Sequence, residues 1–168
     1  MYRQQLEEID SKQSSQILKF DQHDQLQLNS PKTIQKGLYW LYSSYSDEEF
    51  CQSERNPKKG SINFKEMVNM HIGLNHICQQ EVQGFKLVYN GKAKCLRERI
   101  QSHVNGGEGT GSLAIKGSSL NCLSRWRYSY ILWSDVRKIF PSIKYSECAT
   151  DIELLWRLHF GWPILCQY

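Results

Sequence analysis

The side chains that could do chemistry are concentrated in residues 85–103. A short apolar run ends at Tyr89 and Gly91, and a basic segment predicted to be a helix over 92–104 follows directly. On a wheel of 100° per residue, three polar residues of this segment lie beside its apolar stripe: Lys92, Arg99 and His103. An arginine at the border of a buried face is poorly solvated and can hold a phosphate oxygen through two hydrogen bonds. The other interpretation, which wheel position alone slightly favours, is an arginine whose stem covers the edge of the core.

The positive charge of the chain is localised. The formal net charge is +4 over 168 residues, and residues 85–104 hold five basic residues against one acidic residue. That segment therefore accounts for the whole excess. A localised cationic surface suits a polyanion such as nucleic acid better than a membrane, and the alternative is a solvated helix face.

Length, hydropathy and cysteine spacing limit the class of protein. A chain of this length predicts one domain, or one domain with an arm, and 40% apolar residues exclude disorder throughout. No run of about 18 apolar residues is present, which excludes a membrane-spanning helix. Six scattered cysteines without a C-x-x-C pair predict reduced thiols in the cytoplasm. Four residues could chelate zinc, but their spacing favours packing or surface positions: Cys51, His71, His76 and Cys78.

Hydrophobic periodicity predicts an α/β (α+β) fold with a small three-stranded sheet flanked by helices. The predicted strands are 36–42, 85–89 and 126–133. The predicted helices are 62–81, 92–104 and 147–160. Residues 43–60 are predicted to be a loop, and residues 1–36 to be an N-terminal arm or one or two helices.

The chemistry-bearing residues resemble the core of the GIY-YIG nuclease superfamily. Gly37-Leu38-Tyr39 looks like the first signature and Tyr89-Asn90-Gly91 like the second. The pattern that follows the second signature is similar to four residues of this chain in order: Lys92, Leu96, Arg99 and His103. Glu153, followed ten residues later by Pro163, looks like the glutamate of the last helix. The resemblance covers about 37–42 and 85–165, and its second block is the specific part.

The resemblance also implies a domain layout. Residues 37–168 would form the nuclease domain, outside the N-terminal arm or helices of 1–36. Because about 50 residues separate the two signatures, residues 43–83 would be an insertion, mostly helical, between the first two strands.

The activity implied is that of a metal-dependent DNA endonuclease. Tyr39 would be the general base, Tyr89 would orient or assist, and Arg99 would stabilise the pentacovalent phosphate. Glu153 would hold Mg²⁺ (or Mn²⁺), which stabilises the leaving oxygen. Lys92 and His103 would add cationic or hydrogen-bonding support. A tyrosine base requires that its pKa fall from about 10 through nearby cations or metal.

The partner implied is double-stranded DNA, with a homodimer as an open option and no membrane. The type of enzyme most similar is a cytoplasmic restriction or phage-encoded nuclease. Five basic residues are predicted to bind nucleic acid: Lys94, Arg97, Lys116, Arg125 and Arg127. Further candidates for reaching base edges are Arg55, Lys58, Lys59 and Lys65.

Several alternatives stay open. Tyr39 could be an ordinary buried strand aromatic and Glu153 a solvent-facing helical carboxylate. Asn90 replaces an apolar residue of the family pattern, and an asparagine expected just after Pro163 is missing. These departures leave room for a catalytically inactive, nuclease-derived protein that binds nucleic acid, or for a phage interaction protein built on the same scaffold.

Overall fold

Five antiparallel strands form one sheet in the residues that the computed structural model describes, which are 2–20, 35–107, 111–141 and 145–167. In the sheet the strands lie in the order β1-β5-β2-β4-β3. The strands are β1 (Leu18–Lys19), β2 (Gly37–Ser43), β3 (Glu81–Val82), β4 (Phe85–Ala93) and β5 (Trp126–Leu132). The helices are α1 (Arg3–Ser14), α2 (Asp47–Gln52), α3 (Phe64–His71), α4 (Leu96–Asn105), α5 (Trp133–Ile139) and α6 (Tyr145–Phe160).

The predicted α+β class is confirmed, and the predicted count of three strands is wrong. The three predicted strands correspond to β2, β4 and β5 at the centre of the sheet. Two short strands, β1 and β3, extend it at both edges. Each has only two residues, too few for an alternating pattern to be recognised in a sequence.

Strand β2 is buried along its whole length because both faces of the sheet are covered. Tyr39 and Leu41 face one core, to which α2, α3 and α4 contribute. Trp40 and Tyr42 face a second core, which is closed by α1, α5 and α6. A strand buried on both faces is expected to be continuously apolar and aromatic, as residues 37–43 are.

The insertion between the first two strands is only partly helical. The predicted helix over 62–81 is wrong beyond His71, because Ile72 is extended and Gly73 takes a positive φ of 84°. The predicted loop over 43–60 contains α2, which begins with a capping box between Ser46 and Glu49. The insertion therefore consists of two short helices and irregular segments that end in β3.

Strand β4 is longer than predicted and helix α4 correspondingly shorter. Pairing with β2 continues to Ala93, opposite Gly37, so the helix starts at Leu96 and not at residue 92. Lys92 is therefore a strand residue, and the helical wheel misplaced it.

Helix α1 is anchored on the second core by buried polar groups. Gln13 is fully buried, and its Oε1 accepts hydrogen bonds from the hydroxyl of Tyr42 and from that of Ser129 (2.7 Å). Asp10 accepts from the indole of Trp156 at 3.1 Å. The rest of the predicted arm, Met1 and residues 21–34, lies outside the described residues. Among the described helices, none has both the length and the apolar character needed to cross a membrane.

Candidate active site

The residues predicted to act together converge where β4 passes between α4 and α6. Tyr39 comes from β2, Tyr89 from β4, and Arg99 and His103 from successive turns of α4. The rings of Tyr39 and Tyr89 stack with centroids 6.2 Å apart, and that of Tyr89 lies 4.7 Å from the ring of His103. Glu153 of α6 is close enough for its charge to act on both tyrosines. Four elements far apart in sequence thus meet in one cluster.

The hydroxyl oxygen of Tyr39 accepts two hydrogen bonds. The Nε of Arg99 donates to it at 3.0 Å, and the Nε2 of His103 lies 2.9 Å from it. The backbone N–H of Leu113 donates to the Nδ1 of His103 at 3.2 Å, so Nδ1 carries no proton and Nε2 carries it. Both neighbours of the Tyr39 oxygen are therefore donors, an arrangement that favours negative charge on that oxygen.

Burial opposes this effect in the protein alone. Tyr39 is 1% exposed, and this burial raises its pKa well above the usual 10.0. The nearby Tyr89 raises the pKa further, whereas Arg99 lowers it. The pKa of His103 lies well below its usual 6.5, first because the ring is buried and then because Arg99 is near. His103 is therefore neutral and acts as a hydrogen-bond donor. Of the two roles predicted for it, the cationic role does not agree with this neutral state, and the hydrogen-bonding role does.

The neutral state of His103 predicts that acid destabilises the fold. Unfolded His103 takes up a proton near pH 6.5, whereas the folded residue does so only at lower pH. Each pH unit of acidification below 6.5 should therefore cost about 1.4 kcal/mol until the folded pKa is reached. Urea unfolding of the wild type and of His103→Gln at pH 6.5 and 5.5 measures this. Because unfolded His103 is already half protonated at pH 6.5, the loss over that interval should be smaller in the variant by about 1 kcal/mol. Equal losses in the two proteins would contradict the assignment.

Gly91 sets the position of the Tyr39 hydroxyl. The two residues lie opposite each other on β4 and β2. A Cβ placed on Gly91 would lie 2.5 Å from the Tyr39 hydroxyl oxygen and 2.7 Å from its Cζ. The phenol ring therefore lies directly over the glycine backbone, which explains why a glycine follows Tyr89 and Asn90 in this strand.

Gly91→Ala should therefore displace the phenol without removing a functional group. A shift of about 1 Å at a reacting group can cost about 10²-fold in rate, and we expect a loss of that size in any reaction that uses Tyr39. DNA cleavage by Gly91→Ala, Tyr39→Phe and the double variant measures it. Gly91→Ala should add little to Tyr39→Phe, because both act through one oxygen. Additive losses would show that the glycine acts elsewhere.

Glu153 is held by an arginine that the sequence analysis did not select. The Nη2 of Arg157 donates to Glu153 Oε1 at 2.5 Å, and the two side chains are only 9% and 16% exposed. Arg157 also donates to the side-chain and backbone oxygens of Asn90 at 2.8 and 3.1 Å. Asn90, which was noted only as a departure from a pattern, thus helps to hold Arg157 beside Glu153. The i,i+4 spacing of Glu153 and Arg157 was the available signal.

The charges around Glu153 partly offset its burial. Burial raises the pKa of this carboxyl above the usual 4.5, while Arg157, Lys92 and Arg99 lower it. Lys92 lies on β4 and donates to the hydroxyl of Thr150, one turn before Glu153 on α6. Glu153 is therefore not the solvent-facing carboxylate of the alternative interpretation.

A divalent cation is compatible with this arrangement through one carboxylate oxygen. Oε2 of Glu153 has no hydrogen-bond partner among the described residues, unlike Oε1. No group of three or more His, Cys, Asp or Glu side chains that could hold a metal exists in the described part of the chain. Mg²⁺ often takes one or two protein carboxylates and completes its shell with water and substrate phosphate, so a single carboxylate oxygen is compatible with Mg²⁺.

The five basic residues predicted to bind nucleic acid have different surroundings. Lys94 and Arg97 are exposed near the start of α4, beside the cluster. Lys116 is exposed on a short turn after α4. Arg125 is bound to Glu49 at 2.5 and 2.8 Å, and Arg127 lies 4.1 Å from the centroid of the Phe85 ring. Lys94, Arg97 and Lys116 are thus exposed to solvent, whereas Arg125 and Arg127 are tied into the fold.

The four residues considered for zinc have separate roles. His71 donates to the backbone oxygen of Ile164 at 2.8 Å, and His76 contacts backbone oxygens at the end of α6. Cys78 is buried in the second core, and Cys51 lies 3.5 Å from the side-chain oxygen of Asn69.

The comparisons with known proteins found no relative of this chain. No family model, no curated protein and no solved structure matched the chain. The functional conclusion therefore depends on the geometry of the cluster.

Proposed function

We propose that this protein is a metal-dependent endonuclease that hydrolyses phosphodiester bonds of DNA. The observation that supports this most is the convergence of Tyr39, Arg99 and Glu153 in one cluster, with two donors on the Tyr39 oxygen. Hydrolysis of a phosphodiester needs a proton acceptor for water, neutralisation of the phosphate charge and stabilisation of the leaving oxygen. The cluster contains one residue suited to each requirement.

Tyr39 would take the proton of the attacking water at its hydroxyl oxygen. The donors Arg99 and His103 hold that oxygen in place and stabilise its deprotonated form. Because burial keeps its pKa above 10.0 in the protein alone, cleavage should accelerate as the pH rises from 7 to 9. The general-base role thus predicts a direction for the pH profile.

Arg99 would bind the nonbridging oxygens of the phosphate. It is half-buried, and its contacts with Tyr39 and Tyr89 outweigh burial and raise its pKa, so it stays charged. Lys92 adds positive charge on the side of Glu153. A divalent cation held by Glu153 Oε2 would stabilise the leaving oxygen. Lys94 and Arg97 would contact neighbouring phosphates, so the double-stranded polymer is the expected substrate.

A plasmid assay tests the proposal. Purified protein is incubated with supercoiled plasmid in Mg²⁺, in Mn²⁺ and in chelator, and nicked and linear products are separated on a gel. We expect products only with metal, and a loss of about 10²-fold or more in Tyr39→Phe. The matched control is Tyr2→Phe, which changes an exposed tyrosine on the other side of the sheet. Undiminished cleavage by Tyr39→Phe would contradict the role of Tyr39.

A second candidate function is supported by the pairing of Glu153. Because Arg157 already neutralises this carboxylate, the cluster could bind a DNA phosphate at Arg99 without cutting. This catalytically inactive form predicts salt-dependent DNA binding and no product with either metal across pH 7–9. A gel-shift assay run beside the plasmid assay separates the two functions, and an interaction protein would show neither binding nor cleavage.

A further inference from the structure

A cavity outside the cluster is lined by the insertion and the C-terminal residues. Its volume is about 640 Å³, and it lies between residues 55–61, helix α3 and Gln167. Sites for small ligands typically measure about 300–1,000 Å³, so one nucleotide falls within its capacity. Six lining residues could contact a nucleotide: Arg55, Lys59, Glu66, Met67, Met70 and Gln167.

The walls of the cavity are attached to partners of the catalytic cluster. Lys58 donates through its Nζ to the backbone oxygen of Asn105, the last residue of α4, at 2.5 Å. The backbone oxygen of Gln167 accepts from Arg157 at 3.4 Å. Ile62 donates to Ser112, the residue before the Leu113 that binds His103. The cavity wall is therefore hydrogen-bonded to the end of the helix that carries Arg99 and to the partner of Glu153.

The lining is divided by chemistry. Arg55 and Lys59 are exposed, and neither has a hydrogen-bond or ion-pair partner among the described residues. Glu66 is the only acidic residue of the lining, and its Oε2 lies 3.2 Å from the side-chain nitrogen of Asn63. Met67 and Met70 supply an apolar wall between these polar groups. Cations, an apolar wall and hydrogen-bonding groups are what a phosphate, a base face and a base edge respectively require.

We propose that this cavity binds one nucleotide of a nucleic-acid strand. Its phosphate lies at Arg55 and Lys59, its base lies on the methionines, and its base edge lies at Glu66 and Gln167. A carboxylate accepts from the exocyclic amino group of a base, so Glu66 favours cytosine, adenine or guanine over thymine, which has no such group. The inference deepens the proposed function, because the strand is the one held at Arg99. The same nucleotide chemistry could come from a free mononucleotide, which the experiment distinguishes.

Fluorescence anisotropy in chelator tests the inference, because binding is then measured without cleavage. The probes are two labelled duplexes with a three-nucleotide single-stranded end, one with cytosines and one with abasic sites. We expect the cytosine probe to bind at least about fivefold more tightly, near the lower end of what a stacked base contributes. Met70→Asp, at an exposed residue of the wall, should remove that difference.

Charge variants test the phosphate end separately. Lys59→Ala should weaken both probes and lower the slope of log affinity against log salt by about one contact. Lys19→Ala is the matched control, since Lys19 is an exposed lysine of β1, at the edge of the sheet opposite β3 and outside the cavity. Cytidine monophosphate at millimolar concentration is added as a competitor. A further result is that cytidine monophosphate removes the difference in affinity between the two probes and binds more tightly than the cytosine probe. That result would keep the nucleotide site and identify a free nucleotide as its ligand.

Two results would overturn the inference. One is equal binding of the cytosine and abasic probes, and the other is an equal effect of Lys59→Ala and Lys19→Ala. Both readouts are independent of cleavage. If the protein cuts plasmid but binds both probes equally, the proposed nuclease function is retained and the cavity site is rejected. If binding depends on the base but no cleavage occurs, the cavity site is retained and the nuclease function is rejected.

Discussion

Arg99→Ala is expected to lower the rate of DNA cleavage by about 10³-fold, because removing a donor aimed at the charge of the transition state costs about 10²–10³-fold or more. Arg99 has a double task in this cluster. Its Nε donates to the Tyr39 oxygen, and its guanidinium also contacts Tyr89 and acts through its charge on Glu153. The variant thus loses both phosphate binding and one of two donors to the general base.

The matched control for Arg99→Ala is Arg97→Ala. Both residues belong to α4, but Arg97 is exposed, whereas Arg99 is half-buried and bound to Tyr39. Arg97→Ala should weaken DNA binding and its salt dependence by about one phosphate contact and leave the single-turnover rate nearly unchanged. Arg99→Ala should lower that rate while unfolding near the wild-type urea concentration. Equal rates in the two variants would show that Arg99 supplies only general positive charge.

Arg99→Lys separates charge from geometry. A lysine keeps the positive charge but has no Nε–H in the position that binds the Tyr39 oxygen, and it cannot form a two-pronged contact with a phosphate. We therefore expect the lysine variant to stay far below the wild type in rate. Recovery of most of the rate would mean that the hydrogen bond to Tyr39 contributes little.

The central strands, and the shared helix face of Arg99 and His103, could be predicted from the sequence for a definite physical reason. Residues 37–43 and 126–132 are rich in aromatic and other apolar residues, and such runs pack well inside a sheet. Arg99 and His103 are one turn apart on a helix, so their shared face follows from helical geometry alone. Local periodicity determined these parts of the fold, and periodicity can be recognised in a single sequence.

The parts that could not be predicted depend on contacts between distant segments. The end of α3 depends on Gly73 and on the contacts of residues 76–78 with the end of α6 and Trp162. The tautomer of His103 depends on the backbone N–H of Leu113, ten residues away in a turn. The pairing of Arg157 with Asn90 joins α6 to β4 across 67 residues. None of these contacts leaves a periodic pattern.

Burial of Tyr39 has two opposite effects on its proposed chemistry. A tyrosine that acts as a general base needs a lowered pKa, whereas the fold raises the pKa of Tyr39 because the phenol is buried. The same burial brings two donors to the Tyr39 oxygen, which no exposed tyrosine would keep. Burial therefore raises the energy of the phenolate in the resting protein and orders the groups that stabilise it. The pH profile of cleavage distinguishes which effect dominates when DNA is bound.

Glu153→Gln is expected to abolish metal-dependent cleavage while leaving the fold intact. The amide side chain keeps an oxygen that can accept from Arg157, so that arginine retains a partner besides Asn90 and the free energy of unfolding should fall by only about 1 kcal/mol. The amide has no negative charge with which to bind Mg²⁺, so no concentration of metal should restore the rate. DNA binding in chelator should be equal to or tighter than wild type, because one negative charge near the phosphate is lost.

The comparison with Asp151→Asn makes this expectation specific to Glu153. Asp151 is an exposed acid two residues earlier on α6, so its substitution removes the same charge from the same helix without touching Arg157. We expect Asp151→Asn to cleave at the wild-type rate with the wild-type requirement for Mg²⁺. If both variants cleave, the carboxylate of Glu153 is a structural partner of Arg157 and the metal is bound elsewhere. If Glu153→Gln alone fails while binding DNA, the buried pair with Arg157 has a second function: it holds a carboxylate in place, with one oxygen bound and the other available, at the edge of the phosphate site.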